Sequence, residues 1–163
     1  MSAANELLRQ AIERSHALIR AYVEDLTDEE LLVRSVPGSN HIAWQLGHII
    51  GGVRKMLGGL GRPAFALSEG FLTAHGKEMA ACDDPARFAT KAEYLALLDQ
   101  AKAASLAAVD ATPESDLGRP GPEAMREYAP TVGIALMMLG SHGLMHVGQF
   151  VPIRRKLGKP AMF

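Results

Sequence analysis

Apolar positions recur at helical spacing over four long stretches of the chain. In residues 3–25, Leu7, Leu8, Ala11, Ile12, Ser15, Leu18, Ile19 and Tyr22 fall on one face, and Glu6, Arg9, Glu13, Arg14 and Arg20 fill the other. Thr27-Asp28-Glu29-Glu30 reads as a capping box opening a short helical turn, which Pro37-Gly38 breaks. Ser39 or Asn40 is expected to cap a second long helix through Ile42, Trp44, Leu46, Ile49, Ile50, Val53 and Leu57, ended by Gly58-Gly59 and Gly61. Gly47, Gly51 and Gly52 each cost about 1 kcal/mol inside a helix, and close packing of a neighbouring helix is the simplest reason for them. Thr90 and Glu93 form a second capping box, and the helix they open carries Tyr94, Leu98, Ala101, Leu106 and Val109 to about Ala111. Thr112-Pro113-Glu114 reads as a short helical turn. Pro130-Thr131 opens the last long segment, which stops at Leu157 with Gly158 beyond it; Pro152 predicts a kink or a widened turn inside it.

Residues 60–89 keep no period. Pro63, Pro85, Gly61, Gly70 and Gly76 interrupt them, and one short helix near Ser68 to Leu72 is the only regular piece expected; such a stretch is a surface loop or a lid. No alternating strand pattern occurs anywhere. The expected fold is all-α: one domain over residues 1–163, an antiparallel four-helix bundle with a long irregular connection between the second and third long helices.

Composition narrows the function classes. The chain has 163 residues, with 17 Lys and Arg against 18 Asp and Glu, for a net charge of −1. That balance advertises no nucleic-acid or acidic-membrane surface. One cysteine, Cys82, excludes an intrachain disulfide and a cysteine-rich zinc site, and its acidic neighbours Asp83 and Asp84 disfavour a thiolate nucleophile. The N-terminus has no basic region before an apolar run, and residues 132–139, the longest weakly polar run, are too short to span a bilayer. A cytoplasmic protein with neither nucleic-acid nor membrane partners is expected.

The candidate chemistry lies in the histidines. His142 and His146 stand four apart on the last helix, so both imidazoles share a face one turn apart and can converge on one cation. A third ligand must come from another helix, and His48, in an apolar stretch, is the best placed. His41 and Trp44 share roughly its face, so Trp44 can wall the same cavity, and His41 can equally belong to a helix cap. Gln149, seven past His142 and three past His146, can bond a ligand histidine or a bound water, or simply fill a bundle seam. His16 and His75 read as surface or loop residues. Spacing alone leaves two readings open: a metal site, or core histidines bonded to carbonyls, since an i, i+4 pair is a weak motif. Three neutral imidazoles would suit Zn²⁺ or Ni²⁺ and leave an open coordination position.

The segments Asn40-His41-Ile42-Ala43-Trp44-Gln45-Leu46-Gly47-His48 and His142-Gly143-Leu144-Met145-His146-Val147-Gly148-Gln149 resemble the second- and fourth-helix motifs of the DinB-like (DinB/YfiT) superfamily. The acidic turn Thr27-Asp28-Glu29-Glu30-Leu31 and the tail from Ile153 to Pro160 also match, so the resemblance covers essentially the whole chain. It implies a metal-binding four-helix bundle, often a homodimer, with the metal on His48, His142 and His146. It further implies a small-molecule substrate and, from its better understood members, a metal-dependent thiol S-transferase. There the metal holds a low-molecular-weight thiol (bacillithiol, mycothiol or glutathione) as a thiolate that attacks a small electrophile. The alternatives are a non-catalytic metal- or ligand-binding bundle of the stress response, and a metal-dependent hydrolase that would lack a sequence-evident general base.

Overall fold

The computed structural model describes residues 2–162. Four long helices form the bundle: α1 (Ala3–Val23), α3 (Ile42–Gly59), α5 (Lys91–Asp110) and α6 (Val132–Lys156). Two short ones, α2 (Asp28–Leu31) and α4 (Glu69–Ala74), lie in the connections, with 3₁₀ turns at Lys77–Met79, Pro85–Arg87, Glu114–Asp116 and Glu123–Met125. Among the described residues there is no β-strand, only an isolated bridge between Pro120 and Thr131. Both capping boxes form, at Thr27/Glu30 and Thr90/Glu93. Gly61 and Gly158, at φ 64° and 71°, end α3 and α6 in the left-handed conformation. In both, the following amide bonds back to a carbonyl inside the helix, Arg62 N to Leu57 O and Lys159 N to Arg154 O, each at 2.9 Å.

Contacts between helices fix their directions. The Asn5 amide donates to the carbonyls of Val109 and Thr112 at 3.2 and 2.7 Å, and Arg20 pairs with Asp99 at 2.7 Å, so α1 and α5 are antiparallel. Ser15 donates to Gly140 O at 2.7 Å and Arg154 to Tyr22 O at 2.8 Å, so α1 and α6 run parallel. The α3 and α6 pair is antiparallel, with Gln45 against His146 and Gly52 against His142. Arg62, just past α3, bonds to Ala111 O just past α5 at 3.2 Å, so these two run parallel. The predicted four-helix bundle is thus present, but it is not antiparallel throughout as expected: two neighbour pairs are antiparallel and two are parallel.

That topology explains the long connection. Two parallel helices cannot be joined by a tight turn. An 18-residue helix rises about 27 Å, and the chain must travel that length back before α5 can start. Residues 60–90 make this return, carrying α4, the short helix expected near Ser68 to Leu72, which Ser68 caps. Arg34 and His41 pin its second half, donating to Cys82 O, each at 3.0 Å.

Three expectations need correction. The N-cap of α3 is not Ser39 or Asn40 but His41, as the cap alternative for that residue has it: its Nδ1 accepts from Trp44 N at 3.1 Å, so in the neutral ring the proton sits on Nε2, which donates to Cys82 O. His16 and His75 are buried, each 7% exposed, and not surface residues; burial, foremost, pushes His16 down to about 4. The third concerns α6, which has 25 residues and an 18-residue window of mean hydropathy 1.3. By length and composition it could cross a membrane, whereas the shorter run read from sequence could not. Its apolar character has a second use here: 44% of that window is buried in the bundle, against α1 and α3. The helix continues through Pro152. The carbonyl that loses its partner there belongs to Gly148, and both residues are exposed, so water can satisfy it.

Candidate metal centre

The site lies on the antiparallel α3–α6 seam. His48 comes from the middle of α3, and His142 and His146 from successive turns of α6. One ligand atom from each of the three lies within 4.8 Å of the others. Ring centroids stand 5.4 Å apart for His48–His142, 5.1 Å for His48–His146 and 4.9 Å for His142–His146. No carboxylate or thiol joins the group among the described residues.

Hydrogen bonding shows which nitrogens are free. Gln45 is fully buried, and its Nε2 donates to Asn40 O at 2.9 Å, which fixes the amide orientation. Its Oε1 therefore accepts from His146 Nδ1 at 3.1 Å. A neutral His146 then carries its proton on Nδ1 and leaves the Nε2 lone pair bare. His146 Nε2 and His142 Nδ1 are both buried without a partner. Two orphaned ring nitrogens beside a third imidazole are unfavourable in an empty pocket and are what a divalent ion would satisfy. Ligand atoms held at roughly 2.0–2.1 Å from one ion lie within about 4 Å of one another, so the cluster needs only small ring movements to close on one. The residues fit the metal that the motifs imply.

Electrostatics agrees. Burial, and then the neighbouring His142 and His48, pushes His146 down to about 4. Burial also lowers His142, helped by His48, and lowers His48, helped by the Lys77 charge. All three rings are neutral at pH 7 and present lone pairs to a cation.

The other sequence candidates fall in different places. Trp44 stacks on His48, with centroids 5.0 Å apart and planes at 14°, and its Nε1 donates to Gly76 O at 3.0 Å, so it walls the cluster. His41 is a cap and a strap for the connection. Gln149 is exposed, and the amide that meets a cluster histidine is Gln45. A buried glutamine inside the apolar run from Ile42 to Ile50 was the signal for it, because such a group demands partners. Gln45→Leu is expected to weaken metal affinity about 10–100-fold with the bundle intact, since His146 loses the bond that sets its tautomer and ring angle. A competition titration with a chromogenic chelator measures this; an unchanged affinity would remove Gln45 from the site.

Of the three α3 glycines expected to admit a neighbouring helix, Gly47 and Gly52 make room for imidazoles, and Gly51 faces only Leu72, 3.9 Å from where its Cβ would lie. A Cβ at Gly52 would lie 3.1 Å from His142 Cε1, and one at Gly47 would lie 2.0 Å from His75 Cδ2. Close backbone approach occurs instead at Gly140 of α6, where a Cβ would stand 3.2 Å from Ile12 Cα.

Comparison with known proteins agrees with this picture. The chain resembles the crystal structure of a conserved protein from Enterococcus faecalis, with TM-score 0.70, 16% identity and coverage of 98% of this chain and 99% of that one. It also resembles YfiT from Bacillus subtilis, described as a probable metal-dependent hydrolase with an unusual four-helix bundle topology, with TM-score 0.67, 18% identity and coverage of 98% and 91%. At these identities the likeness shows the fold. No curated protein matches the chain by sequence. A family model described as the DinB superfamily matches residues 11–150, and the chain belongs to that superfamily.

Proposed function

We propose that the protein is a metal-dependent thiol S-transferase acting on small electrophiles. The observation that carries this reading is a cluster of three neutral imidazoles with no carboxylate in it or in the adjoining cavity. A bound Zn²⁺ or Ni²⁺ would supply one thing there: it would hold a thiol as its anion at neutral pH. The reaction then needs no general base. The sulfur lone pair forms a bond to the electrophilic carbon; with an alkyl halide, the carbon–halogen bond breaks and its electron pair leaves as halide. The thiol proton passes to buffer.

The chain's own contribution is placement. His146 is oriented by Gln45. Trp44 covers the His48 ring and keeps water from that side. The further imidazole on the cavity wall, His75, is fully occupied: its Nδ1 donates to Phe71 O and its Nε2 accepts from Tyr94 Oη, both at 2.7 Å. It has no free nitrogen to serve as a base, which disfavours hydrolysis, the activity ascribed to YfiT. The reading includes a homodimer. Met137, Leu144 and Met145, 43%, 42% and 62% exposed, form an apolar strip on α6 turned away from His146, and a second copy of the chain is the occupant proposed for it. A cytoplasmic setting, where such thiols are kept reduced, completes it.

The test uses untagged protein, because a polyhistidine tag would compete for metal. A chromogenic aryl halide is offered with bacillithiol, mycothiol, glutathione or cysteine, with and without Zn²⁺ or Ni²⁺. Turnover above the uncatalysed rate is expected only when thiol and metal are both present. Metal-dependent hydrolysis of an ester without thiol would replace this reading with a hydrolase. Stoichiometric metal with no turnover for any thiol would leave a binding bundle.

A further inference from the structure

Beside the histidine cluster, a cavity of about 360 Å³ lies over one stripe of α3, bounded by α4. His48 lines it, and Gly52 on its floor faces the His142 ring, so the cavity adjoins the histidine cluster. Gly51 and Gly52 leave its floor bare, and Arg54 and Lys55 stand at one end. The spacing explains the stripe: 48, 52 and 55 follow one line of the helix, and 47, 51 and 54 the adjacent line.

The charges in and around this cavity are unbalanced. Arg54 Nε is buried with no partner, and Arg54 makes no hydrogen bond or ion pair among the described residues. Six of the ten other arginines form ion pairs: Arg9 with Asp110, Arg20 with Asp99, Arg34 with Asp83, Arg87 with Asp84, Arg119 with Asp116 and Arg154 with Asp25. Lys55 also has no ion pair among the described residues, and Lys77 is close enough that its charge depresses the His48 pKa. No acidic residue among the described residues lines the cavity, and Glu78, next to Lys77, forms no ion pair with these cations among them. A dication on three neutral rings would add two more positive charges. A buried guanidinium nitrogen with an unmet donor is costly unless a ligand meets it.

We infer that the cavity takes the carboxylate of a small acidic thiol, with the Arg54 guanidinium as its principal partner and Lys55 and Lys77 supplying the surrounding field. This rests on the thiolate reading above and narrows it: the co-substrate carries a carboxylate as well as its sulfur. Guanidinium is the group suited to bind a carboxylate through two parallel N–H donors.

The test is a binding titration on cobalt(II)-loaded, untagged protein, with sulfur-to-cobalt charge-transfer absorption as the readout. The probes are 3-mercaptopropionate, which is acidic, and 2-mercaptoethanol, which is not. Arg54→Gln is expected to weaken 3-mercaptopropionate about ten-fold or more and to leave 2-mercaptoethanol within about two-fold, with cobalt stoichiometry and helicity unchanged. Arg54→Lys is expected to recover part of the loss. Equal effects on both thiols, or none on either, would overturn the acidic-thiol inference and leave the thiolate reading standing. Absence of the charge-transfer band with both thiols on cobalt-loaded wild type would instead overturn the thiolate reading, and this inference with it.

Discussion

His48→Ala, His142→Ala and His146→Ala are each expected to abolish stoichiometric metal binding, while His75→Ala retains it. The contrast is informative because all four imidazoles lie within one region of the fold and all four are depressed chiefly by burial. They differ in what their nitrogens do. His142 Nδ1 and His146 Nε2 are buried without partners, whereas both nitrogens of His75 are engaged, by Phe71 and Tyr94. A metal bound only by the folded state, at a free concentration a thousand times its Kd, stabilises by about 4 kcal/mol. For a chain of this length that raises Tm by roughly 8–16 °C. The three cluster variants should lose this increment and keep the apo Tm close to wild type. His75→Ala should keep the increment and lose about 2–4 kcal/mol of apo stability, because it removes a packed ring and leaves the Tyr94 O–H without its acceptor. Plasma mass spectrometry of untagged variants and melting curves with and without metal measure both quantities. Equal metal loss in His75→Ala would place the site elsewhere.

The sequence carried the helices and the three-histidine convergence because both depend on local spacing. Capping residues announce helix starts wherever the cap is Thr, as at Thr27, Thr90 and Thr131. At the start of α3 the sequence offers Ser39, Asn40 and His41 together, and preference for a hydroxyl or amide cap points one or two residues too early, because the cap is an imidazole nitrogen. Helix directions were not legible. That α3 and α5 run parallel is a property of how the return path of residues 60–90 packs, and its irregular composition only hinted at a long journey. Burial of His16 and His75 was missed for the same reason, since each is covered by residues far away in sequence. His75 sits in a stretch without periodicity, yet Gly47 on α3 and Tyr94 on α5 enclose it. Gly47 and Gly52 are places of close approach, but side-chain rings and not a backbone approach them, and Gly51 is not crowded at all: rings and backbone leave the same signature in one sequence.

The second large effect follows from that enclosure. Gly47→Ala is expected to destabilise the protein by about 3 kcal/mol, the upper part of the range for overpacking a core, and to lower Tm by roughly 6–12 °C. A Cβ at this position would sit 2.0 Å from His75 Cδ2, 2.2 Å from Cγ and 2.3 Å from Nε2, distances at which something must move. A flexible side chain could swing aside, but this ring is held at both nitrogens, each by a 2.7 Å bond. Its donor goes to α4 and its acceptor to α5, so displacement would undo the seating of the connection on the bundle. Gly58→Ala is the control on the same helix, since nothing lies within 4 Å of a Cβ there. It should stabilise by up to about 1 kcal/mol through helix propensity alone. The double variant Gly47→Ala/His75→Ala separates the clash from the loss of glycine itself. With the ring gone, the new methyl occupies vacated space, so the pair should cost less than the sum of its single variants, with a coupling of at least about 1 kcal/mol. Additive losses would mean that Gly47 is needed for backbone reasons and that the ring is not what excludes a side chain. Because Gly47 directly precedes His48, the same series read with metal present asks whether strain at the ring passes one residue along α3 into the metal site.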